Sequence, residues 1–177
     1  MSAGMTVTPA LAEEAKDTDE AAAAEEGTTL RILRQKQFLD FAENCRLDSY
    51  SRNLSVVLLT DIDLTGVDFA GIPIFCGNFD GNGHTISGLS ITRDGSNMGL
   101  FRYVDASALI QNLTVSGEII PDGSRSAVGG IAGHNAGKIQ NCFFDGTVSG
   151  SDDVGGIAGI NAITGIIDGC HSKGVIT

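Results

Sequence analysis

Acids and histidines are the first residues to weigh. Asp61 and Asp63 stand two apart in the run SVVLLTDIDL, residues 55–64, a spacing that puts both carboxylates on one face of a strand. Asp80, Asp145, Asp152, Asp153 and Asp168 could join them if the fold brings their segments into register. Carboxylates gathered in one cleft can divide general acid and general base work between them. A polysaccharide lyase would also need a base such as Lys or Arg beside the acids. Here Lys and Arg are scattered, and no phrase holds one against a carboxylate, so the reading is solvated strand and turn acids.

The stretch Phe79 to Leu89 (FDGNGHTISGL) concentrates Asp, Asn, His and three glycines. It has no Lys and does not make the GxxxxGK[ST] phosphate loop. It also lacks the alternating acids and closing Glu of a calcium-binding loop. Asp80-Gly81-Asn82-Gly83 is turn chemistry: glycine enters positive φ without a steric penalty, and Asp or Asn bonds its own backbone. His84, His134 and His171 fall in no HExxH pattern and no i, i+4 pair, and are read as surface loop residues. Cys45, Cys76, Cys142 and Cys170 match no zinc spacing. These residues yield no catalytic, cofactor-binding or metal-binding residue to name, and no cofactor.

The elements that would position such groups come from a repeat. The phrase VGGIAG occurs at Val128–Gly133 and again 26 residues on at Val154–Gly159. Ile110-Gln-Asn-Leu113, Ile139-Gln-Asn-Cys142 and Ile167-Asp-Gly-Cys170 form a second series, with Ile86-Ser-Gly-Leu89 read as its first copy. The intervals between those isoleucines are 24, 29 and 28 residues. Gly117, Gly146 and Gly174 follow in three copies, each with an aliphatic two residues later: Ile119, Val148 and Ile176. Gly99-Leu100-Phe101 fits as a divergent copy of Gly130-Ile131-Ala132. Short strands and glycine turns at this period predict an all-β solenoid whose like residues ladder from coil to coil at about 4.8 Å.

That arrangement makes specific demands. Cys142 should lie over Cys170 as a reduced, inward pair, and Asn135 over Asn161 and Asn112 over Asn141 as amide ladders. A solenoid end exposes unpaired backbone and an open core. The amphipathic run Gln35 to Arg46, with Phe38, Leu39, Phe41, Ala42 and Cys45 on one face, is expected to be a helix capping the N-terminal end. The expected organisation is a disordered acidic tail over 1–29, a cap over 30–54 and coils over 55–177 that continue beyond the last residue. The last coil carries two extra residues, expected as a surface bulge.

Charge narrows the partners. Of the net −11, the first 29 residues hold −6, seven acids against Lys16 alone, which leaves −5 for the other 148. No basic face exists for nucleic acid, and none for an anionic membrane surface. No apolar run is long enough to span a bilayer. Ala10-Leu11-Ala12 before Glu13-Glu14 reads like the end of a secretory signal peptide, so the expected setting is extracellular or cell-wall attached.

VGGIAG followed by Asn, Gly, Ile-x-Asn-Cys and Gly-x-Val resembles the GLUG motif, strongly over residues 128–177 and, with DIDL, FDGNGHTISGLSI and GLF, over roughly 55–177. The resemblance implies a right-handed parallel β-helix in a bacterial secreted or surface protein. Such repeats occur in adhesin-like proteins and beside the catalytic domain of immunoglobulin A-cleaving metallopeptidases. The function it implies is a non-catalytic structural or adhesion module that meets a host or bacterial surface protein or glycan through stacked sheet faces. The alternative is a carbohydrate-active β-helix enzyme, a polysaccharide lyase or glycoside hydrolase, or its glycan-binding portion.

Overall fold

The computed structural model describes residues 28–123 and 125–177. The segment carrying the acidic tail and the signal-peptide likeness lies outside the described residues. The rest is an all-β solenoid of parallel strands in about five turns, with one short helix near its N-terminal end.

Three stacks of strands form the walls. The first holds β1 (Thr29–Ile32), β2 (Ser55–Leu58), β5 (Asn78–Asp80), β8 (Leu109–Gln111), β12 (Lys138–Gln140) and β16 (Ile166–Asp168). The second holds β3 (Ile62–Asp63), β6 (Thr85–Ile91), β9 (Thr114–Ile119), β13 (Phe143–Val148) and β17 (His171–Ile176). The third holds β4 (Ile72–Phe75), β7 (Phe101–Val104), β11 (Ala132–Asn135) and β15 (Ala158–Asn161). A shorter pair, β10 (Ser126–Gly129) and β14 (Asp152–Gly155), closes the later coils.

Register decides which repeats are true equivalents. Ile110, Ile139 and Ile167 stack in the first wall, as the repeat requires. The rung below Ile110 is Phe79, however, and Ile86 stacks on Val115 in the second wall. The sequence match of Ile86-Ser-Gly-Leu89 to the ladder is thereby corrected. Ile86 lies in β6, past the corner, so the phrase belongs to the second wall; the corner is also longer, with four residues between Asp80 and Thr85 against two between Gln111 and Thr114. The corner itself is as expected. Asn82, Asn112 and Asn141 have φ of 51°, 53° and 51°, and Gly169 has 60°, a left-handed turn that Asn and Gly adopt most readily.

Gly117, Gly146 and Gly174 are in register, as are Ile119, Val148 and Ile176. The glycine ladder has a steric cause. A Cβ on Gly146 would sit 1.9 Å from the carbonyl oxygen of Gly117, so the coils approach there as only glycine permits. Phe101, Ala132 and Ala158 also align, which places Gly99-Leu100-Phe101 as the divergent copy.

The run 55–64 is not one strand. β2 ends at Leu58, the chain turns through Leu59 to Asp61, and β3 takes only Ile62 and Asp63. Val56 and Leu58 are buried from the first wall and Ile62 from the second, so the chain turns between them.

The helix α1 (Gln35–Asn44) covers the N-terminal opening. It follows β1, which already pairs with β2, so the stack starts one strand before the helix. Arg34 stands at the N-cap without a side-chain cap bond, and the Gln37 side chain instead accepts from the Leu33 N–H at 2.9 Å. Phe38, Phe41 and Ala42 are buried. Phe41 meets Phe75 edge-on at 6.0 Å between ring centres and Phe79 at 5.9 Å, and both of those rings reach Phe101. Aromatic rings thus fill the end of the core under the helix.

Candidate binding face

Three of the acids weighed for catalysis, Asp61, Asp63 and Asp80, hold turns. Asp61 lies in the corner before β3 and does not share a strand face with Asp63. It accepts from the Thr85 N–H at 2.9 Å and lies 3.0 Å from Nδ1 of His84. Those bonds, the Thr85 N–H first, hold its carboxyl below the usual carboxylate range. Asp63 is held low by Thr65, whose N–H it accepts at 2.9 Å. Asp105 caps Ser107 and is lowered by it in the same way. Asp68 pairs with Arg93. Asp80 accepts from the Asn82 N–H at 2.7 Å and from the side chains of Asn112 and Gln111. Asp145 lies 3.9 Å from Lys173, while Asp152, Asp153 and Asp168 are exposed on the outer wall. Among the described residues, no three His, Cys, Asp or Glu side chains gather as a metal site.

Ladders replace clusters. Asn135, fully buried, donates to Asn161 at 2.8 Å, as the repeat predicts. Asn112 instead donates to Asp80, and the neighbouring glutamines carry the coil-to-coil bond, with Gln140 donating to Gln111 at 2.7 Å. Cys142 is buried over the half-buried Cys170; both are thiols, and burial pushes that of Cys142 up to about 12. The two extra residues of the last coil form an outward turn in which Ile163 is fully exposed and Thr164 donates back to the Ala136 carbonyl at 2.7 Å.

Two of the three histidines are on strands rather than loops. His134 belongs to β11 and His171 to β17, in different walls. The period of the coil explains this, since each falls at an outward strand position.

The outer faces differ in kind. On the second wall Thr85, Thr114, Phe143 and His171 align, beside Ser116, Asp145 and Lys173. On the third wall the outward ladder is Ile74, Tyr103, His134 and Ile160, all half-buried. The Tyr103 and His134 rings stack with centres 4.8 Å apart and planes 13° from parallel. A shallow groove of about 340 Å³ opens on the Ile74 side of Tyr103, lined by Pro73, Ile74, Asn97, Arg102 and Tyr103. Arg102 is anchored at its rim, donating to the carbonyls of Asn97 at 3.3 Å and Ser96 at 3.1 Å. A second cavity of about 430 Å³ lies near the helix-to-coil connection, lined by Arg52, Cys76 and Ser107 among others.

Sequence reasoning missed Tyr103 and its groove. The signal was present: once Phe101 is set over Ala132, two further residues bring Tyr103 over His134.

This fold and these ladders define a β-solenoid of GLUG-type repeats, and the GLUG motif family matches residues 124–149. Over 146 residues the chain is 32% identical to a halomucin of Haloquadratum walsbyi, covering 76% of this chain and 2% of that protein. Over 96 residues it is 36% identical to a Gly-rich membrane protein of Evansella cellulosilytica, covering 48% of this chain and 11% of that protein. The chain therefore spans only a small part of the curated relatives it matches. One of the two is archaeal, so the likeness is not confined to bacterial proteins. No solved structure matches the chain.

Proposed function

We propose that the chain is a non-catalytic structural or adhesion module of a secreted or surface-associated protein, working through the outer faces of its stacked sheets. The observation that carries this reading is the assignment of its acids. A glycosidase-type site needs one carboxyl kept protonated near neutral pH by burial or a like charge. Asp61, Asp63, Asp68 and Asp105 are displaced in the opposite direction, each by a neighbour that fixes a turn or an ion pair. The stacked walls meanwhile present regular side-chain rows, the kind of surface that binds extended partners. The likeness to a halomucin and to a protein named for the membrane supports a surface setting.

Antibody raised against the purified chain, applied to intact and to permeabilised cells of the source organism, tests the setting. Labelling of intact cells is expected, and labelling only after permeabilisation contradicts it. Incubation with a panel of polysaccharides tests the chemistry: no new reducing ends or unsaturated products are expected, and turnover abolished by Asp61→Asn would restore the enzymatic reading.

A further inference from the structure

The groove beside Tyr103 has a composition that selects a ligand, and the reasoning rests on the binding-module reading above. Its floor and walls are apolar, from Pro73, Ile74 and the Tyr103 ring. One face of that ring is covered by His134, whose Nδ1 is buried without a hydrogen-bond partner, so stacking is what places the imidazole. The groove lies on the ring's other side. At its rim stand the Asn97 amide and the Arg102 guanidinium. Arg102 spends Nε and one Nη2 bond on backbone carbonyls, which fix the arm and leave the remaining N–H donors of its fork unspent. Among the described residues no carboxylate lies within ion-pair distance of it, although the chain as a whole is acidic. A positioned, unneutralised guanidinium beside an aromatic face is complementary to a carboxylate carried on a ring with an apolar face.

We infer that this groove binds an acidic glycan, a uronic-acid-bearing pyranoside chain. The C–H face of one sugar would lie against Tyr103 and Ile74, and its carboxylate would face Arg102, with Asn97 available to a ring hydroxyl. The groove is bounded by Ile74 of one coil and Tyr103 of the next, with His134 stacked behind the ring, so it takes one sugar of the chain. A carboxylate-bearing peptide shares the charge, but it has no need of a flat ring face beside it.

The test is a titration of the full chain, followed by backbone amide NMR, with oligomers of galacturonate, mannuronate and glucuronate, their methyl esters, and an Asp-rich peptide. At least one free-acid oligomer is expected to shift amides of Ile74, Asn97, Arg102, Tyr103 and His134, with those of Asp145 and Lys173 on the second wall unmoved. Its methyl ester should bind about tenfold more weakly, the loss expected for one charge-assisted hydrogen bond. Tyr103→Ala should abolish the shifts and Tyr103→Phe should retain them. Circular dichroism shows whether each variant is folded, and the mapping on the native chain decides the matter if Tyr103→Ala is not. No shift with any oligomer, shifts centred on another wall, equal binding of the esters, or tighter binding of the peptide would overturn the inference. Surface labelling is read independently, so either reading can fail alone.

Discussion

Ile139 and Ile167 occupy the same position one coil apart, yet the first is 0% exposed and the second 39%. Val148 and Ile176 repeat the contrast at 0% and 41%. The N-terminal end shows what makes the difference. There Phe38 and Phe41 of α1 lie over the opening, and Val56, Leu58 and Ile62 beneath them are fully or almost fully buried. A side chain in a solenoid is therefore core only when a layer lies on both sides of it. Inward direction is set by the coil, and burial is set by the stack.

Breaking the covered end should have the largest effect. Phe41→Ala removes a ring that touches Phe38, Tyr50, Phe75 and Phe79, and should lower the unfolding free energy by about 3–5 kcal/mol in urea denaturation. The paired positions sharpen the comparison. Ile139→Ala should cost about 2–5 kcal/mol, whereas Ile167→Ala, tested in this 177-residue chain where its side chain is 39% exposed, should cost less than half as much. Equal losses at the two sites would mean that the last coil is as well packed as the one before it.

A smaller effect belongs to the corner between the first coils. The folded-state pKa of Asp61 is depressed, by the Thr85 N–H and then by His84. Its contribution is therefore present above the unfolded value of about 3.9 and is lost as pH falls through the folded value. Asp61→Asn should be less stable than the native chain at pH near 6, with the difference closing as pH falls below the unfolded value and through the lower folded one. A difference that persists undiminished in acid would assign the loss to packing instead.

Much of this was legible in the residues. VGGIAG, the glycine row and the Ile-x-x-Cys phrase fixed coil length and register, because a stacked coil leaves no freedom at positions where backbones nearly touch. The helix was readable from the spacing of Phe38, Phe41, Ala42 and Cys45. What misled was likeness of type without likeness of phase. Ile86-Ser-Gly-Leu89 has the right letters, but its 24-residue interval already stood apart from 29 and 28, because Ile86 belongs to the second wall and pairs with Val115. The split of residues 55–64 was hidden because an apolar run looks the same whether it is one strand or two strands meeting at a corner. Candidate-site legibility was poorer. Acids drew attention by their chemistry, while Tyr103, Arg102 and Asn97 become a groove only when stacked on Pro73 and Ile74 of the preceding coil.

Amide hydrogen exchange of the full chain, resolved by residue, tests the stacking account most directly. The account predicts the slowest exchange in strands with a neighbour on both sides, such as β8, β9, β12 and β13, and much faster exchange in β16 and β17. Uniform protection through Ile176, or a last coil slower than the coil containing Ile139, would contradict it.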